Sequence, residues 1–475
     1  MLCFGLQPWA LGLDTALAQS PVILTLDAQT RGAPIPDDFT GLSFETSNLL
    51  PETNGQYLFS AKNLPLIILF KNIGVRNLRI GGGTVDLPRY PVPEPADIDN
   101  LFAFAQAAGV KVIYSLRLLN GNKTNAAATA QYIMQHYPSQ LACFAIGNEP
   151  DWSSYHVKDP KIRDYPTYLA RWKEFAAAVA AAALSAKFAG PDTGSDYPVP
   201  GARNTDYRGR SWTAQFADDE MNLGIASIFQ HDYVGQSAKG VDVQTAIDAM
   251  LSRTWITYYQ TLHDRVLKPV MEDRLTYRMT ECNDYTGGVN GASNAFAAAL
   301  WALDYLHWWA AHGCAGVNFH NKKWLLTDTV YRDSAGNFQI NPKAYGLKAF
   351  DLGSHGDIIT AVKLSNPENL NVDCYAVGEA TNLYVTIINK THGSAGGADA
   401  MVTVEPRHFA ATGGEYLILA SAPASDCQAR NATLGGATIT SLSPWAGVWT
   451  PLSVDKAGKC TLTVKSTSAA VVRLY

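Results

Sequence analysis

Between residues 39 and 350 the chain alternates short apolar runs with longer helix-like segments, eight times over. The runs are FTGLSF (39–44), VRNLRI (75–80), KVIYSL (111–116), ACFAI (142–146), AKFAG (186–190), GIASIFQ (224–230), LTYRM (275–279) and AGVNF (315–319). Strands apolar along their whole length are buried on both faces, as in a parallel sheet wrapped by helices. Helical periodicity marks 98–109, 165–184, 243–267 and 292–313, the second opening on Asp164 and Pro166 as helix starts commonly do. Eight strand-helix units predict a (β/α)8 barrel over 37–355. From about 356 the pattern shifts to alternating strands, CYAVGEA, LYVTIINK, ATITSL, CTLTVKS and AAVVRLY, broken by Gly, Asn and Pro. That predicts a β-sandwich over 356–475, with PVILTLDAQ (21–29) as a strand of an N-terminal segment, 21–36, that joins it.

A chain of 475 residues with 47% hydrophobic content has ample material for both units. Its net charge of -5 and 17% charged residues give no basic footprint for nucleic acid and no polybasic membrane patch. The 11 Trp and 22 Tyr suit sugar faces and hydroxyls, although most such rings simply pack. Residues 1–20 are apolar and end in Ala16-Leu17-Ala18, a secretory-signal pattern without its basic start, so export or periplasmic location is the expectation. No later stretch has the length of a membrane span. The seven cysteines show no zinc or CxxC spacing. Cys143 and Cys314 read as core, and export permits one disulfide among Cys374, Cys427 and Cys460, the pair left open. Asn122, Asn389 and Asn431 head Asn-x-Thr sequons.

In such barrels the reacting groups gather where the strands end. Glu149, in GNEP, follows the fourth run, and Glu281, in TECN, follows the seventh. An ionised carboxylate at the mouth of an apolar strand costs several kcal/mol to desolvate, so each needs partners or a task. The nearest basic residues in sequence, Arg278 and Lys158, offer no evident partner. Two carboxyls converging on one cleft, one protonated and one ionised, are what glycosidic cleavage requires. Rival signatures are absent: there is no G-x-S-x-G, H-E-x-x-H, P-loop or G-x-G-x-x-G. The GGGT stretch (81–84) lacks a phosphate loop's lysine and reads as a tight barrel turn.

GNEP and TECN resemble the retaining (β/α)8 glycoside hydrolases, and within that clan the chain resembles family 79, the heparanases and β-glucuronidases, along most of its length. That family pairs a barrel with a sandwich joined by the N-terminal segment. The resemblance implies that Glu149 is the acid/base, that Glu281 is the nucleophile and that Asn148 holds the sugar 2-hydroxyl. It makes Tyr233, in IFQHDYVG, a donor to the nucleophile. Gly287 and Gly288 would offer bare amides to a glucuronic acid carboxylate. Tyr331 and Tyr285 are further candidates for that carboxylate. Glu45, with Asn48 the weaker alternative, would accept from hydroxyls on the non-reducing side. Arg79 and Thr84 would line the cleft floor, with a structural ion-pair partner the equal alternative for Arg79. His231 and His320 read as satisfied barrel histidines.

Heparanases carry basic clusters flanking the cleft, and no such runs flank NEP or TEC. The expectation is therefore an exo-acting retaining β-D-glucuronidase, needing no cofactor or metal, with its carboxyls about 5 Å apart. The alternatives are another retaining exo-β-glycosidase, a β-glucosidase or β-xylosidase, or a glycan-binding protein without catalysis on the same scaffold.

Overall fold

A computed structural model of the protein describes residues 20–152, 162, 164–194, 211–220, 224–393 and 397–475. The signal-like segment lies outside them. Two strands open the described chain, β1 (Val22–Asp27) and β2 (Arg31–Pro34). The barrel strands follow: β3 (Thr40–Glu45), β4 (Asn77–Gly81), β5 (Lys111–Leu116), β6 (Leu141–Ile146), β7 (Phe188–Thr193), β8 (Ser227–Tyr233), β9 (Tyr277–Asn283) and β10 (Val317–Asn321). Each pairs in parallel with the next, and β10 closes on β3 through Val317↔Thr40 to Asn321↔Phe44. The molecule is a (β/α)8 barrel with a C-terminal β-sandwich.

The first four strands and β10 fall within two residues of their apolar runs, whereas β7, β8 and β9 extend three or four residues further at the carboxyl end. Strand β9 carries Glu281 within it rather than after it, and β8 runs on through His231, Asp232 and Tyr233. Glu281 and His231 are buried in the barrel interior, Asp232 is buried against Tyr258 and Tyr305 of the surrounding helices and Tyr233 is half-buried, so apolarity stops marking the strand before the strand stops.

The helix predicted over 165–184 spans Tyr165–Ala182, its start fixed by a reciprocal capping pair between Asp164 and Thr167. The segment predicted as one helix over 243–267 is two, Val243–Met250 and Arg253–Leu262, running into a π-helical turn. Helix Phe296–Ala311 is apolar all round because it is covered on every side, by the barrel and by the sandwich. Tyr375 reaches it from the sandwich to donate to Asp304 Oδ1 at 2.6 Å.

After β10 come the hairpin strands β11 (Val330–Arg332) and β12 (Phe338–Ile340). The sandwich strands are β13 (Asp357–Ile359), β14 (Val362–Ser365), β15 (Val372–Gly378), β16 (Leu383–Asn389), β17 (Ala400–Arg407), β18 (Gly414–Ala422), β19 (Asn431–Leu434), β20 (Thr450–Leu452), β21 (Cys460–Val464) and β22 (Ser468–Leu474). One sheet runs β14-β1-β17-β21 and the other β19-β18-β22-β16-β15-β13-β2, with β20 on β18. Val22, Leu24, Val402 and Val464 of the first face Val385, Ile387, Val472 and Leu474 of the second in one apolar core. The strand predicted at ATITSL is not formed. Gly435 and Gly436, both at positive φ, turn the chain so that only Ala437 bridges back to Leu434.

All six cysteines among the described residues are free. Cys374 and Cys460 sit on different sheets, and Cys427 lies in the loop after β18 with its Sγ toward Thr467. Of the sequons, Asn389 is buried with its amide donating to Ala398 and Val464 carbonyls, which removes it as an acceptor of glycans. No helix among the described residues is long and apolar enough to cross a membrane.

Candidate active site

The chain leaves β6 through Gly147-Asn148-Glu149, a turn held from three directions. The Gly147 amide donates to Leu116, that of Asn148 to the Asp86 carboxylate at 2.9 Å, and that of Glu149 to the Asp192 carbonyl at 2.8 Å. Gly147 has φ 87° and Glu149 φ 46°. A side chain larger than glycine's pays for the left-handed region with about 1–3 kcal/mol of strain, so the three clamps hold Glu149 against its own backbone preference. Asp86 is fully buried and accepts from Leu118 and Leu119 as well. Burial pushes its carboxyl up to about 7 despite those three bonds.

Glu281 points inward from β9 and is engaged on both oxygens. Tyr233 donates to Oε1 at 2.8 Å and Arg79 to Oε2 at 2.7 Å, while His320 Nδ1 stands 3.5 Å from Oε2. Burial works against charge on Glu281, but His320, His231 and Arg79 outweigh it and bring the carboxyl down to about 2. The partners missing from the local sequence thus come from other strands. Arg79, on β4 and wholly buried, also donates to Ser43, to Asn148 Oδ1 at 2.6 Å and to Asp192 Oδ2. Its bond to Asn148 Oδ1 fixes that amide so that Nδ2, the donor end, is left for another acceptor.

His231 lies between acids: Nδ1 is 2.9 Å from Glu149 Oε1, and Nε2 is 3.1 Å from Asp192 Oδ1. Burial disfavours its charge, yet Asp192 and Glu281 prevail and hold the imidazole up at about 10. Glu149, His231 and Glu281 offer three ligand atoms within 4.8 Å of one another. Both His231 nitrogens are turned to carboxylates, which ties the imidazole into the network of acids. Both histidines lie in the barrel beside the acids, His231 bonded through Nδ1 to Glu149 and His320 through Nδ1 to Ser43 Oγ at 3.1 Å.

Glu45, at the end of β3, is buried. It accepts from the Thr84 amide at 2.8 Å, faces His320 Nε2 at 3.7 Å and pairs with Lys322 Nζ at 3.0 Å. Burial opposes its charge, and His320 and Lys322 hold it ionised, well below the usual carboxylate range. The GGGT turn makes room for it: a Cβ on Gly82 would stand 2.5 Å from Glu45 Oε2. Thr84 gives its amide to Glu45, and its hydroxyl accepts from the Ser47 amide at 3.1 Å. Asn48 leaves its buried Oδ1 without a partner among the described residues.

The remaining candidates divide. Gly287 and Gly288 both have φ above 80°, and Gly288 packs so closely on the loop after β10 that a Cβ would stand 2.7 Å from the Thr327 amide nitrogen. The Gly288 amide is spent on the Tyr285 carbonyl at 3.2 Å. Tyr285 is a packing residue, its ring buried against Gly235 and Trp255. Tyr331 is half-buried on β11, and no hydrogen bond among the described residues ties it to the carboxylates.

Asp192 is the residue the sequence hid. It sits on β7 beyond the run AKFAG, at φ 60°, after a proline, in a stretch with nothing apolar to announce a strand. It accepts from Arg79 and Thr280 and touches His231. Burial opposes its charge, and Arg79 and His231 keep it ionised.

In sequence, no protein-family model and no curated protein matches the chain. In structure, it is similar to glycoside hydrolases with TIM-barrel folds. One is a 4-O-α-L-rhamnosyl-β-D-glucuronidase from Fusarium oxysporum 12S, with TM-score 0.72 and 17% identity, covering 94% of this chain and 99% of that one. Another is a family 51 arabinofuranosidase from Xanthomonas axonopodis pv. citri, with TM-score 0.66, 16% identity and coverage of 96% and 100%. A family 44 xyloglucanase from Paenibacillus polymyxa follows, with TM-score 0.63, 12% identity and coverage of 95% and 99%. At these identities the shared property is the fold.

Proposed function

We propose that the protein is a retaining exo-β-D-glucuronidase of the family 79 type, exported from the cell, its barrel the catalytic unit. The observation that carries this reading is the approach of a Glu149 and a Glu281 oxygen to within 4.8 Å across the barrel mouth. Carboxyls about 5–5.5 Å apart suit attack by one of them, whereas inverting enzymes need roughly 6.5–9.5 Å to fit a water.

In the first step Glu281 attacks the anomeric carbon as the bond to the leaving oxygen breaks, and Glu149 gives that oxygen its proton. With Glu149 Oε1 held by His231, the transferable proton sits on Oε2. In the second step Glu149 takes a proton from water, the hydroxide attacks the anomeric carbon, and Glu281 leaves as a carboxylate. The charge on Glu281 is set for the attacking role by its surroundings, and Asn148 Nδ2 is set to donate to the 2-hydroxyl. The glucuronidase specificity draws on the motif resemblance and on the similarity to the Fusarium structure, which was solved as a Rha-GlcA complex.

Paired assays on nitrophenyl β-D-glucuronide and β-D-glucoside test this. Turnover of the glucuronide, abolished in Glu281→Gln and reduced roughly 10²–10⁴-fold in Glu149→Gln, supports the reading. Preference for the glucoside or xyloside moves the protein to another exo-β-glycosidase, and full activity in Glu281→Gln removes the assigned nucleophile.

A further inference from the structure

A sugar acid entering this mouth meets the ionised Glu45 and Glu281 beside the Glu149 carboxyl, with Asp192 buried behind them, and these acids disfavour a further carboxylate unless a cation is free to receive it. Arg79 is wholly buried and spent on four acceptors. His231 has a carboxylate against each nitrogen. Lys322 differs: its Nζ lies 3.0 Å from Glu45 Oε1, yet its side chain is 54% exposed. At most one of its three N–H groups is used on Glu45.

The loop that carries Lys322 locates it further. Residue 322 follows directly on β10, its amide held by Asp328 Oδ1 at 3.0 Å, and the Leu325 amide is held by Asp328 Oδ2 at 2.8 Å. A few residues on, Leu326 and Thr327 press on Gly288. One stapled loop thus touches Glu45 at its start, through the Lys322 ammonium, and Gly288 near its end.

We propose that Lys322 is a specificity-determining residue that receives the carboxylate of the sugar and selects uronic acids over neutral hexoses. The inference rests on the sugar site proposed above and adds a fixed charge to it, in place of recognition by tyrosines and amides alone. Lys323, the next residue, makes no ion pair with the cluster among the described residues and serves as the internal control.

The experiment titrates D-glucuronate and D-glucose, which need no turnover, into the full-length protein and into Lys322→Met, Lys322→Arg and Lys323→Met, followed by ligand-observed NMR. The expected result is a preference for glucuronate that Lys322→Met lowers about tenfold or more, that Lys322→Arg largely keeps and that Lys323→Met leaves intact. The preference also weakens as salt rises, since the ammonium is exposed. A wild-type protein without the preference, a Lys322→Met variant that retains it, or equal weakening of both sugars overturns the assignment, the last because it marks a merely structural ion pair. A Lys322-dependent preference without turnover of nitrophenyl glucuronide would sink the hydrolase reading and leave Lys322 standing.

Discussion

Removing Arg79 would leave the buried Glu281 and Asp192 with only His231 and His320 to offset their charges. Breaking a buried pair from one side costs about 3–5 kcal/mol, so Arg79→Met is expected to lower stability in a urea titration by that amount and to eliminate turnover. Glu281 sets a pH dependence of definite sign. It titrates ordinarily near 4.5 and when folded near 2, so the folded state binds fewer protons between those values. Its contribution to stability is whole above about pH 4.5 and is lost as pH falls through about 2. Melting temperature should therefore drop less across that window in Glu281→Gln than in the wild-type chain, which a pH series of thermal unfolding checks. Both carboxylates were legible in sequence because a strand-end Glu is visible as such. Their partners were legible only in part: the resemblance named Tyr233 as a donor to Glu281 and left Arg79 as either a cleft residue or an ion-pair partner, whereas nothing along the chain tied His231 and His320 to the two acids, because nearness in sequence says nothing about nearness across a barrel mouth.

At the scale of elements, the carboxyl ends of the strands and the turns after them carry the site. The turn at 81–84 is built around Glu45, and Gly82 there has φ 66°. Gly82→Ala would place a methyl on the Glu45 carboxylate in a backbone region that L residues avoid. The expected cost is about 1 kcal/mol or more, together with a higher KM, read by thermal unfolding and by kinetics on the same preparation. The same scale explains which strands could be read. β5 matches its apolar run to the residue because it is apolar to its end, whereas β7 ends in Pro191-Asp192-Thr193 and hid its acid. A barrel strand that contributes chemistry has to turn polar where it matters, so its functional end falls outside a hydrophobic pattern.

For the whole molecule, the joint between barrel and sandwich is ionic at its centre. Lys390, fully buried just past β16, lies 2.5 Å from Asp304 Oδ2 on the barrel helix and 2.7 Å from Asp373 Oδ2 on β15. Lys390→Met leaves the buried Asp304 facing the half-buried Asp373 with no cation between them and is expected to cost about 3–5 kcal/mol, with both units melting together at a lower temperature by calorimetry. The seating of β1 has a temporal consequence. It lies between β14 and β17, with Ile23 opposite Ser365 on one side and Thr403 on the other. The ribosome makes this strand before the barrel and its partners after it, so it must wait, unpaired, while the whole barrel is synthesised. Nascent chains stalled before residue 400 should accordingly leave their amino terminus open to protease, and release of the finished polypeptide should close it.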